Sequence, residues 1–139
     1  MSNMAAKMTA AFFDAQGLKY GIAGDKDEVL LTVFPMKNKD GIKLMVIFDE
    51  DETGCSIHTD DFAKFPESKL NDMLKLVNDL NDRFRWIKFV VDTKNLTIEA
   101  SDDAVIQLDS VGDEVLRCCI HFIGIVDQAY PEIMRAIFA

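Results

Sequence analysis

The sequence predicts an α+β domain, an antiparallel sheet packed by helices in the order α-β-β-β-β-α-β-β-α. Three observations carry this. Between Ser68 and Ala100 the apolar period changes from 3.6 residues to 2, which marks a helix running straight into a hairpin. Upstream, four short alternating segments are divided by turn-forming clusters such as Gly24-Asp25-Lys26-Asp27 and Asn38-Lys39-Asp40-Gly41. The chain has 139 residues, which fits one domain (1–139) able to bury about two-thirds of its unfolded surface.

Residues 3 to 16 read as a helix with Ala5, Met8, Phe12 and Ala15 on its apolar face and Gly17 as the stop. Leu18, Tyr20 and Ile22 alternate as a first strand. Residues 28 to 36 form a second, apolar on both faces, which predicts a central place in the sheet. Ile42, Leu44, Val46 and Phe48 mark a third, and Cys55, Ile57 and Thr59 a fourth. Phe62 and Phe65 lead into the central helix, which Pro66 can open. Leu70, Met73, Leu74, Val77, Leu80 and Phe84 form its apolar stripe.

In the hairpin that follows, Ile87, Phe89 and Val91 point one way, and Trp86, Lys88 and Val90 the other. A tight turn at Asp92-Thr93-Lys94-Asn95 pairs Val91 with Leu96, Phe89 with Ile98 and Ile87 with Ala100, leaving a Lys88–Glu99 charge pair outside. Ser110 is placed to cap the last helix, with Asp113 and Glu114 in its first turn. Pro131 is expected to end or kink that helix before a short final turn. Because the last helix is apolar around most of its circumference, it needs cover on two sides. Cys119, Phe122, Ile123 and Val126 are therefore the expected homodimer interface.

Charge and composition narrow the function. With 24 acidic against 15 basic residues and a net charge of −9, the chain lacks the clustered cations that phosphate binding demands, so no nucleic-acid role is expected. There is no long apolar run to span a bilayer and no signal-peptide pattern, so a cytoplasmic protein without a membrane role is expected. Three cysteines, two of them adjacent, imply no disulfide framework.

Motif chemistry is sparse. Gly21 to Lys26 lacks P-loop spacing. Asp49-Glu50-Asp51-Glu52-Thr53-Gly54 matches the opening of a calcium loop, with Asp60 at its twelfth position, but its flanks read as strands rather than helices. Asp49, Asp51 and Asp60 are the metal-site candidates within what is otherwise a solvated turn. Cys118 and Cys119 diverge around a helix and read as small apolar residues. No nucleophile–base pairing emerges, and neither enzyme activity nor a cofactor is expected. Arg85, Trp86 and Lys88 form a basic–aromatic cluster, the expected docking place for a protein partner.

The element order, the run Asn78-Asp79-Leu80-Asn81 followed by Phe84, the stretch Trp86-Ile87-Lys88-Phe89 with Asp92, and the ending Tyr130-Pro131-Glu132 resemble the YbjN family of bacterial sensory-transduction regulators. The resemblance covers roughly residues 66 to 135. It implies the fold of type III secretion chaperones and offers no catalytic residues. Asn78 and Asn81 match its Asn-x-x-Asn pair, for which the simplest role is structural: bonding free carbonyls at the helix end or adopting the left-handed conformation there. The expected function is a regulator or chaperone-like protein that binds a protein partner, with small-ligand or divalent-ion sensing as the alternative.

Overall fold

The computed structural model describes residues 2–139. A first helix, α1 (Met4–Ala15), is capped by Asn3, whose Oδ1 accepts from the Ala6 N–H at 3.0 Å. It ends where Gly17 adopts φ +71° and the Leu18 N–H reaches back to the Phe13 carbonyl. The buried face is Ala5, Ala6, Thr9 and Phe13, while Met8 and Ala15 are exposed. That face is rotated from the expected one because Thr9 can be buried: its hydroxyl donates to the Ala5 carbonyl at 2.8 Å.

Strands β1 (Gly21–Ala23), β2 (Val29–Phe34), β3 (Ile42–Phe48) and β4 (Gly54–Thr59) follow in antiparallel succession. A two-residue strand, β5 (Ala63–Lys64), stands where only a lead-in was expected. After α2 (Leu70–Arg83) come β6 (Lys88–Asp92), β7 (Thr97–Val105) and the long helix α3 (Val111–Phe138). Strand β7 is the hub of the sheet. Along one side it pairs with β4 and β5, and along the other with β6.

The helices cover one face. Leu30, Leu44, Val46, Ile57, Phe89 and Ile98 from the sheet are buried with Phe13, Met73, Leu80, Phe122 and Ile133 from the helices. The opposite face of β2 has no covering layer, and Val33 stands exposed there. Strand β2 lies inside the sheet as expected, between β1 and β3, but its second apolar row marks an uncovered surface.

Two corrections concern the second half. The hairpin preserves the expected faces, but its register moves by two residues: Val91 pairs Ile98, Phe89 pairs Ala100 and Val90, not Lys88, sits opposite Glu99. The loop is longer because Leu96 takes φ +58° and donates its N–H to the Asp92 carbonyl at 2.8 Å. The Asp92 carboxylate meanwhile accepts the Lys94 and Asn95 amides.

The second correction is that α3 runs through Pro131 without a break. A proline there deprives the Asp127 carbonyl of its intrahelical donor. The Asn38 side-chain amide takes that place at 3.0 Å, while the Asp127 carboxylate accepts the Lys37 and Asn38 N–H groups at 2.9 Å each. The β2–β3 loop thus satisfies the carbonyl freed by Pro131.

Candidate functional site

Helix α2 ends at Phe84, whose backbone is already extended. The chain then makes a tight reversal: the Ile87 N–H bonds the Arg85 carbonyl at 2.9 Å across Trp86, which sits at φ +76°. A γ-turn with a left-handed centre is rare and strained, the more so for a bulky residue. The side chain so held is 68% exposed. The Arg85 guanidinium lies 5.4 Å from its ring centroid. Lys88, the first residue of β6, approaches the Asp103 carboxylate at 3.8 Å. The three residues expected to dock a partner therefore do share one surface.

Strand β6 is fixed beside this turn by Asn81. The Asn81 Nδ2 donates to the Phe89 carbonyl at 3.0 Å, and its Oδ1 accepts the Phe89 N–H at 2.7 Å. A side-chain amide stands here as a substitute strand, closing the outer edge of β6 at one residue. The expected partners, free helix carbonyls, are thus corrected to strand backbone.

Trp86 forms one wall of a groove of about 470 Å³ between the end of β7 and the first half of α3. Asp102, Ala104 and Val105 line it from the strand, and Glu114, Arg117, Cys118 and His121 from the helix. Asp102 lies opposite Ile57 in the register, so it points toward the helical layer. Burial pushes its carboxyl up, and the adjacent Asp103 amide offsets part of that. Burial likewise raises the Cys118 thiol, aided by Asp102 and Glu114. Cys55 is pushed up to about 12 by burial, and Cys119 is raised for the same reason. Burial thus disfavours the thiolate form of all three cysteines.

The other expected sites fare differently. Cys119, Phe122, Ile123 and Val126 are buried within the single chain, against the sheet and neighbouring helices. This corrects the expected dimer face: α1, α2 and the sheet together already supply the cover that α3 needs. The Asp49–Gly54 turn is also occupied internally. Asp51 Oδ1 accepts the Thr53 hydroxyl and N–H at 2.7 and 3.1 Å, which hold its carboxyl below the usual range. Asp60 lies beyond the far end of β4, about 20 Å away at strand rise. The proposed calcium constellation is therefore not assembled, and no group of three metal-ligating side chains converges among the described residues. A wider hollow of about 640 Å³ beside Gly17–Gly21 and β2 has no carboxylate, histidine or cysteine in its lining.

Residues 6–134 match the model of the YbjN family, described as "Putative bacterial sensory transduction regulator". The chain belongs to the YbjN family. The match reaches well beyond the residues that carry the resemblance, taking in most of α1 and the first four strands. Among solved structures, this chain is similar to one titled "Crystal structure of YbjN, a putative transcription regulator from E. coli". The TM-score is 0.63 at 11% identity, over 91% of each chain, which establishes a shared fold. No curated protein matches the sequence. Of the groove residues, the sequence singles out Trp86 and weighs Cys118 only as a small apolar residue; Asp102 and Val105 carry no signal beyond the run of two acids before Ala104.

Proposed function

We propose that this YbjN-family chain is a non-enzymatic interaction module that serves regulation by holding a segment of a protein partner in the Trp86 groove, as a chaperone-like protein does. The observation that supports this is the conformation of Trp86. A tryptophan kept exposed by a left-handed backbone costs about 1–2 kcal/mol relative to a relaxed one. In return the backbone presents the ring outward before any partner arrives. Large, pre-ordered aromatic and arginine side chains carry most of the energy at protein interfaces, and Arg85 is already stacked beside Trp86.

Small-ligand sensing is favoured by one observation, the groove volume of about 470 Å³, which is within the range of ligand pockets. Homodimerisation loses the surface that motivated it, and any self-association would have to use exposed residues such as Ile120. The deciding experiment is affinity capture of wild type and Trp86→Ala, with native mass spectrometry of the purified protein. A specific protein lost with the variant supports partner docking. A bound small molecule lost with the variant transfers the groove to the sensor reading, and equal capture by both proteins rejects the Trp86 surface.

A further inference from the structure

We infer that the partner is held as an added antiparallel strand on the open edge of β7 at Asp103–Val105, and that it carries a basic residue opposite Ala104. This rests on the docking reading above and deepens it. Strand β6 stops at Lys88, opposite Ser101, because the chain turns away at Trp86, whereas β7 continues to Val105. The orientation of the free edge follows from the hydrogen bonds. The Ile106 N–H goes to Thr53 on the β4 side, so even-numbered residues face β4 and odd-numbered ones face away. Phe89 turns its own N–H and C=O to Asn81, which fits Lys88 and Ser101 as the last hydrogen-bonded pair of the hairpin.

The backbone groups of Asp103 and Val105 therefore point into the space that β6 vacates, paired by no strand. The Asp102 carboxylate lies beside the Asp103 amide. Such an edge is a template for an extended chain. The side chain on an added strand opposite Ala104 would face the helical layer, beside Cys118 and Glu114. The next position inward, opposite Asp102, is filled by the chain's own buried Ile87, the residue before Lys88. A long basic side chain opposite Ala104 reaches diagonally to Asp102, which sits in none of the ion pairs among the described residues. Charge argues against a second copy as occupant: each chain carries −9 and would bring its own Asp102 and Asp103 to the edge.

Trp86 is the single tryptophan, so its emission reads the groove directly. The probes are two blocked ten-residue peptides of alternating threonine and valine, one with lysine in place of a central valine and one with glutamate there. The lysine peptide should shift Trp86 emission saturably, and the glutamate peptide should not. Asp102→Asn should weaken the lysine peptide about tenfold, the loss of one charge-assisted contact. Val105→Pro should abolish the shift, because the only N–H it removes is the unpaired one, leaving the β4 ladder and the fold intact. Equal response to both peptides, no response to either, or unchanged binding by Val105→Pro overturns the inference. Sedimentation showing self-association that Val105→Pro removes also overturns it, in favour of a second copy. If Val105→Pro captures the native partner normally while Trp86→Ala does not, the strand edge is refuted and the groove stands.

Discussion

Replacing Asn81 with alanine removes the only groups that pair with the outer edge of β6 at Phe89. Two hydrogen bonds are lost, at 3.0 and 2.7 Å, each with a net value of about 1 kcal/mol in a partly buried setting. Against that loss of about 2 kcal/mol, alanine is the better helix former by about 0.5 kcal/mol. The expected net destabilisation is therefore about 1.5 kcal/mol, a fall in Tm of about 6 °C for a domain of this size. Asn78 is the internal control. It is exposed, it has no such strand contact, and Asn78→Ala should be neutral or stabilising by about 0.5 kcal/mol. Urea and thermal unfolding followed by circular dichroism measure both, and hydrogen exchange at the Phe89 amide should accelerate only in Asn81→Ala. Equal effects from the two substitutions, or an Asn81→Ala change below 0.5 kcal/mol, would refute the view that this asparagine acts as a strand substitute.

Three further outcomes follow from the packing. Gly112 of α3 sits against the Cβ and Cγ of Phe12 with no room for a side-chain carbon, so Gly112→Ala should lose about 1–2 kcal/mol in urea unfolding even after its gain in helix propensity. Trp86→Gly should be more stable than Trp86→Ala by about 1 kcal/mol, because only glycine relaxes at φ +76°; equal stabilities would remove the strain from the account. Native alkylation at neutral pH, counted by mass spectrometry, should label Cys118 slowly and leave Cys55 and Cys119 until denaturant is added.

Much of the fold is legible in the sequence because periodicity reports which face is buried. The β3 and β4 alternations, the α2 stripe apart from Leu74, which is exposed, and the switch to period 2 after Arg85 all describe the real packing. Register is less legible. Alternation is unchanged by a slip of two residues, so the faces of the hairpin survive while each pair shifts, and nothing in Leu96 signals its left-handed backbone. The continuity of α3 depends on Asn38, some ninety residues from Pro131, and no local pattern carries that contact. Apolarity around α3 shows that it needs cover but not whether the same chain supplies it. The groove is least legible of all, because it arises where β6 stops short of β7, and the cause is the backbone of one exposed tryptophan.

The most direct test of partner docking at the Trp86 groove is an amide chemical-shift map of the labelled protein, with and without the segment of the captured partner that retains binding. The account predicts that the largest changes fall on Trp86, Asp102–Val105 and the Arg117–His121 stretch of α3. Changes confined to the uncovered sheet face around Val33 and Met45, with Trp86 silent, would contradict it.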